Sequence, residues 1–442
     1  MKVETIIIGA GISGLSTAHF LSKKSSDFLV IESEKKVGGI ISTKKESGFL
    51  CENGPNTVLL NNDAIEELIY DCGLTNEIIL PNESAKKNRF VFHKSKVQAL
   101  PSNPFQIFST PLLSFWDKIQ FLLELIRPAK KENVSVKEFF DYRFSSNFTN
   151  QFIEPFLTGI YAGNIKKMSM KHALKKVWDM EQKNGSLIRG LMKNTSSKKQ
   201  APIFNFKNGL SQLTDKIKHN LEDKILTGHS VTSIQKTEGG YILLINKKEY
   251  FCKNIISTIP AFSLANLIED KNLVKELNEV KYAPAEVFHF GFKNEDIKNP
   301  INGFGLLTKA SDKKSFLGIL FNSEIFDHVS SKESKLFTVI VGGERQPHLC
   351  ELPIEELQAL IENELKELIQ SQKKPHFSNH YSYKKGIPQY QMNHQNLLDA
   401  IHYFQSKNQN FLISGNFTKG VSVSDCIQNA KQLVNNINLA IQ

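Results

Sequence analysis

Val3-Glu4-Thr5-Ile6-Ile7-Ile8-Gly9-Ala10-Gly11-Ile12-Ser13-Gly14-Leu15 is the stretch on which the fold turns. Residues 2–8, dominated by Val and Ile, read as a buried strand; a glycine-rich turn then opens a helix expected to run to about Lys23. Residues 28–32 supply a second short strand, so the chain begins strand, turn, helix, strand. That context gives the GxGxxG spacing a physical meaning the glycines alone lack. Gly9 permits the tight turn, Gly11 lets a pyrophosphate approach the backbone, and Gly14 lets helix and strand pack closely. The helix N-terminus, with Ser13 in the same turn, offers free N–H groups and a partial positive charge to phosphates. Glu32, 18 residues after Gly14, is placed to accept hydrogen bonds from ribose hydroxyls and to repel a 2′-phosphate.

Working outward, Lys36-Val37-Gly38-Gly39-Ile40-Ile41-Ser42-Thr43 follows at once. Its glycine pair lets a second loop approach the same pyrophosphate, with the Lys36 cation and the Ser42 hydroxyl nearby. A domain built for NAD alone has no need of this element, so the expected cofactor is FAD. Val231 and Ser257-Thr258-Ile259-Pro260 resemble the adenine-side wall of such proteins. Residues 415–423, with Gly415, Val421 and Val423, can bring backbone amides to the flavin end.

Composition bounds the rest. The 442 residues are too many for one simple core, and two or three interleaved domains are expected. Phe is abundant at 31 and Trp scarce at 2, a balance assigned to core packing. The net charge of +10 favours phosphates, anionic lipid or a carboxylate-rich ligand, or serves solubility through surface lysines. No dense basic run with interleaved aromatics is present, which excludes nucleic acid as a partner. Five scattered cysteines without a CxxC pair fit a reducing compartment and no structural zinc. The nucleotide pattern starts so close to Met1, and apolar runs are so short, that a cytoplasmic protein is expected, or one attached peripherally to the inner face of the cell membrane.

The coarse pattern continues with a helix at residues 63–72 and helices rich in Phe and Leu over 88–178. The clearest is residues 111–126, with Leu112, Phe115, Trp116, Ile119, Leu122, Leu123 and Ile126 on one broad face. Most of that face is expected to pack inside the protein, with a bilayer surface as the alternative. Residues 198–206 form a polar break. Strands over 226–258 include a hairpin at Gly239-Gly240, and a second strand-rich block spans 287–341. The acidic helix 354–370 and a helix after Asp425 end the chain. The fold class is therefore α/β and α+β: a Rossmann-type FAD-binding domain, an inserted mixed-sheet substrate domain and a helical domain. The boundaries expected are 1–87, 207–260 and 405–442 for the first, 88–110 and 261–404 for the second, and 111–206 for the third.

Four stretches carry a resemblance: Glu52-Asn53-Gly54-Pro55-Asn56, residues 153–163, Ile387-Pro388-Gln389-Tyr390 and residues 415–426. With them the chain resembles the FAD-dependent, oxygen-using protoporphyrinogen oxidase family among the amine-oxidase-like flavoproteins, over nearly its whole length. The resemblance implies oxidation of a porphyrinogen to a porphyrin, with hydride passing to the flavin and electrons to oxygen to give hydrogen peroxide. The cofactor then carries the hard chemistry, consistent with the lack of any Ser/His/Asp or paired-carboxylate constellation.

By the same resemblance Gly54, Pro55 and Asn56 lie against the flavin, Asn56 being the polar position between flavin and substrate and the candidate catalytic residue. Arg89 matches a propionate-binding arginine, which its planar fork suits. Gly163 matches a backbone position beside the tetrapyrrole, and Phe304 an aromatic wall. His289 and His394 are read as structural. Lys36 departs from the family's usual arginine. Oxygen, a membrane surface and a second copy of the chain are the further partners the resemblance allows. Coproporphyrinogen oxidation by the same chemistry stays open. So do an amine oxidase or carotenoid desaturase and, from a non-catalytic class, a prenyl-protein binder without flavin.

Overall fold

The computed structural model describes residues 1–102, 106–194 and 201–437. Two seven-stranded sheets organise it. The first runs Ile225–Thr227, Phe28–Glu32, Lys2–Ile8, Lys248–Ser257, Gly240–Ile245 and Val231–Thr237, with Phe411–Ile413 also pairing to Lys248–Ser257. Its central strands are parallel: Ile6 and Ile7 pair with Leu29 and Val30 on one side and with Ile255 and Ile256 on the other. A strand covered on both faces needs continuous apolar side chains, and Ile6, Ile7, Ile255 and Ile256 are fully buried. The helix Ile12–Ser22 lies against this sheet and is buried from Ile12 to Leu21, so it has no solvent-facing side. The C-terminal helix Val423–Asn436 packs on it.

The second sheet runs Phe377–Pro388, Tyr282–Lys293, Ser334–Gly342, Gly318–Leu320, Gly305–Leu307, Phe90–His93 and Lys96–Ala99. Phe288, Phe290 and Phe292 alternate onto one face, where with Leu357, Ile361 and Leu365 of the helix Ile354–Ile369 they form a core. His289 and Gly291 point to the opposite face, toward Glu52 and Phe49. A small sheet of Val58–Leu59, Ile203–Phe206 and Ile78–Ile79 sits between the two large ones in the chain path.

Several sequence expectations change. Residues 90–99 form a hairpin, not part of a helical stretch, turning through Lys94 and Ser95 at positive φ. Phe90 and Val91 pair with Leu306 and Leu307, more than 200 residues away in the chain, which no local periodicity reveals.

The helix expected over 111–126 begins only at Phe115, because Ser114 and Asp117 form a capping box there, and it ends at Leu123 before a tight turn, Glu124–Ile126. Its apolar face is not packed inside: Phe115, Trp116 and Ile126 are each more than 70% exposed, while the preceding Leu112 and Leu113 are buried instead. The last helix begins at Val423, two residues before Asp425, since Ser422 caps it by accepting from the Asp425 N–H. Of the expected polar break, residues 198–200 lie outside the described residues, and Ile203–Phe206 is a strand.

The helices between Val136 and Asn194 enclose a core of Phe139, Phe140, Leu157, Trp178 and Tyr390. At its edge Arg143, Glu124 and Glu181, all fully buried, form an ion cluster. Among the described residues no helix is long and apolar enough to cross a membrane.

Candidate functional site

A cavity of about 460 Å³ opens at the carboxyl ends of the first sheet's parallel strands. Gly9, Gly11, Ser13, Glu32, Gly38, Gly39, Val231, Thr258, Val421 and Val423 line it. The two glycine loops are joined, since Gly38 N–H donates to the Ala10 carbonyl at 2.8 Å. Gly11 caps the helix Ile12–Ser22 with no side chain over its end, and a Cβ built on Gly11 would meet nothing within 4 Å. The helix N-terminus is therefore bare toward the cavity, as an anion site requires. Gly14 faces the other way: a Cβ there would lie 1.9 Å from the Gly9 carbonyl oxygen, so it serves helix–strand approach. Glu32 accepts from Ala10 N–H at 2.7 Å and Glu34 N–H at 2.9 Å, which fixes its carboxylate at the rim with lone pairs to spare. A bare helix end, two glycine loops and a fixed carboxylate suit a dinucleotide.

Other expected cofactor residues lie outside this lining. Lys36 is exposed. Ser42 accepts from the Asn53 side chain and backbone. Gly415 holds a φ of 136° where the chain turns from Phe411–Ile413 into the 415–423 loop. Gly54 is pressed against the Ile40 carbonyl, with room for no Cβ. Conversely, His229, Ser230, Ser263 and Asn266 line the cavity without any signal in the sequence reading. His229 is brought there because its N–H donates to the Glu32 carbonyl, so strand pairing set its place.

Asn56 belongs to a buried polar network behind the cavity. Its Nδ2 donates to the Gly54 carbonyl at 3.1 Å and its Oδ1 accepts from Asn322 Nδ2 at 2.9 Å. Glu52, four residues earlier, accepts from Thr43 Oγ1, Asn205 Nδ2 and the Leu210 N–H. Burial outweighs these bonds and pushes its carboxyl up to about 7. His289 meets the Glu52 carbonyl at 3.1 Å, and burial holds its imidazole down to about 4, so it stays neutral. His394 is likewise held down to about 4 by burial.

Arg89 stands at the start of the strand Phe90–His93, its guanidinium 5.0 Å from the Phe304 ring centre. Phe304 is set there by its N–H, which donates to the Asn88 carbonyl, and by Gly303, where a Cβ would strike the Phe90 ring at 2.6 Å. Arg89 is exposed and has no carboxylate partner among the described residues, where its guanidinium makes a long 3.4 Å contact to the Lys86 carbonyl. Partial desolvation lowers its pKa. Arg89, Phe304 and Asn56 are connected, because Phe321 N–H donates to the Phe304 carbonyl and Asn322 follows it. Gly163 lies apart, after the left-handed Ala162 that ends the helix Glu154–Tyr161. A Cβ on it would meet Gln389 Oε1 at 2.6 Å and Met168 Sδ at 2.8 Å, a crowding from within the protein.

Known structures place this geometry in a class. The crystal structure of a provisionally named protoporphyrinogen oxidase from Exiguobacterium sp. 255-15 superposes with a TM-score of 0.85 at 22% identity, covering 98% of each chain, which establishes a shared fold. Residues 12–438 match the family of flavin containing amine oxidoreductases, and the chain belongs to that family. It is an FAD-dependent oxidoreductase. Among curated relatives it is 28% identical to protoporphyrinogen oxidase 2, chloroplastic/mitochondrial, of Arabidopsis thaliana, over 95% of this chain and 91% of that one. It is 25% identical to coproporphyrinogen III oxidase of Bacillus subtilis (strain 168), over 98% and 97%.

Proposed function

We propose that the protein oxidises protoporphyrinogen IX to protoporphyrin IX, using oxygen as final acceptor and releasing hydrogen peroxide. The observation that carries the reading is Arg89: an exposed guanidinium with no carboxylate partner among the described residues, lying over the Phe304 ring. A porphyrinogen is a broad apolar disc edged by propionates, and a cation on an aromatic face is complementary to such an edge. FAD, when bound, supplies the electron acceptance. The protein's share is to hold the disc between Arg89 and Phe304 at one side and the Asn56 region at the other, with water kept out. The dozen apolar side chains of the cluster that includes Phe304 suit that division.

The test is anaerobic addition of porphyrinogen to the yellow protein. The flavin absorbance should bleach and return with air, with no dependence on added NAD or NADP. Failure to bleach with any porphyrinogen, where dithionite does bleach it, removes the reading. The B. subtilis relative gives coproporphyrinogen a specific claim as substrate, so both are offered at equal concentration and the porphyrin fluorescence decides. We also propose contact with the surface of a bilayer through the exposed Phe115, Trp116, Leu122 and Ile126, beside the cations Arg127 and Lys130.

A further inference from the structure

The dipeptide Gln389-Tyr390 lies just past the strand Phe377–Pro388 of the second sheet and is almost fully buried, at 3% and 1% exposure. Its two side chains run to different places. Gln389 Nε2 donates to the Tyr161 carbonyl at 2.8 Å and to the Ile387 carbonyl at 3.0 Å. Both partners are acceptors, so the amide can face only one way, and its Oε1 is turned toward Gly163 without a donor of its own. Tyr161 is the last residue of the helix that leads into Ala162 and Gly163.

Tyr390 turns to the cofactor side instead. Its hydroxyl donates to the Asn416 carbonyl at 2.6 Å, and Asn416 lines the 460 Å³ cavity. The Tyr390 ring stacks on His394, 4.4 Å between centres, and His394 Nε2 donates to the Thr418 carbonyl at 3.3 Å, two residues along the same loop. On its other side the Tyr390 ring meets Tyr161 edge-on at 6.0 Å. The backbone is pinned as well, by Gln389 N–H on the Lys281 carbonyl and by Ser169 N–H on the Tyr390 carbonyl.

We propose that Gln389 and Tyr390 are paired positioning residues that set the spacing between the Tyr161–Gly163 wall and the 415–423 loop, and so between substrate and flavin. Neither residue itself lines the cofactor cavity; each acts through the segment it holds. The inference rests on Gly163 lying beside the substrate, as in the proposed function. Carbon-to-flavin hydride transfer is steep in distance, so a buried two-way strut at this point controls rate without contacting a reacting atom.

The variants are Tyr390→Phe and Gln389→Met, purified with FAD. Tyr390→Phe should weaken FAD affinity about three- to tenfold, the size of one hydrogen bond, and shift the visible flavin bands. Gln389→Met should keep FAD affinity and the rate of flavin reduction by dithionite. It should slow anaerobic reduction by saturating porphyrinogen about ten- to a hundredfold, the effect of a wall displaced by about 1 Å. If Gln389→Met fails to fold, Gln389→Asn, which keeps the amide one methylene shorter, reads the same split. Parallel loss of FAD, dithionite response and thermal midpoint in both variants overturns the proposal, and so does wild-type behaviour in either. If no porphyrinogen reduces the wild-type flavin, the proposed function falls while the Tyr390→Phe affinity and spectrum still decide the cofactor half.

Discussion

Gly11 and Gly14 stand three residues apart in one motif and are glycine for different reasons. Around Gly14 there is no room, so Gly14→Ala should destabilise the fold itself by about 1–3 kcal/mol, measured as a lower denaturant midpoint. Around Gly11 there is open space, so Gly11→Asp should leave the flavin-free protein's stability unchanged while abolishing FAD retention, assayed as flavin released on denaturation. Stoichiometric FAD in that variant would displace the phosphates from this loop. Arg89 is exposed rather than enclosed, which places its contribution toward the lower end of charge-assisted contacts. Arg89→Ala should cost about 1–2 kcal/mol in kcat/KM, and cost it on the free acid but not on the propionate methyl ester. Equal losses on both would make Arg89 a structural residue. Glu52 gives a pH signature. Its folded pKa of about 7 lies above its unfolded 4.5, so the folded state binds more protons between these values and stability falls as pH rises through the window. Glu52→Gln removes that slope. Relative to wild type it should gain about 2–4 kcal/mol between pH 4.5 and pH 8 in urea unfolding. His289, whose folded pKa lies below its unfolded one, has the opposite slope, with stability lost as pH falls from 6.5 toward 4, and it cancels in this comparison.

The helix Phe115–Leu123 shows what periodicity conveys and what it omits. The apolar stripe was legible, but a stripe says only that one face avoids water. Which partner covers it depends on where the neighbouring helices run, and these take Leu112, Leu113 and part of Phe121 while leaving Phe115 and Trp116 outside. Because those two side chains pack on nothing inside, Phe115→Ser with Trp116→Ser should leave the thermal midpoint within about a degree. It should lower co-sedimentation with anionic phospholipid vesicles by tenfold or more, since each large side chain buried in lipid contributes roughly 1.5–3 kcal/mol. Unchanged vesicle binding would assign the patch to another partner. The hairpin at 90–99 makes the complementary point: Phe90-Val91-Phe92 is too short to distinguish strand from helix until Leu306 and Leu307 pair with it.

Across the whole molecule, Arg143, Glu124 and Glu181 tie three helices of the 111–194 region together. Arg143 bonds both carboxylates and the Arg127 and Pro128 carbonyls, and Glu124 also takes the Leu187 N–H at the start of another helix. Removing the cation strands two buried carboxylates. Arg143→Met should therefore destabilise by about 3–5 kcal/mol, whereas the triple change to Met with Glu124→Gln and Glu181→Leu should recover much of it. A single variant as stable as wild type would mean that water already screens the cluster.

The sequence by itself determined the first sheet's opening strands, the bare helix end and the fixed carboxylate at its rim. Strand, turn, helix and strand are contiguous there, and their geometry follows from steric rules that act within a few residues. The Gly239-Gly240 turn and the helix Ile354–Ile369 were legible for the same reason. Tertiary structure alone decided that His229 and Ser263 share a cavity with Gly11, that Asn322 meets Asn56, and that Gln389 and Tyr390 reach opposite walls. Those contacts join segments from 26 to 266 residues apart along the chain. Each arises where strand register and helix packing bring backbones together, and register is a property of paired surfaces that neither segment carries alone.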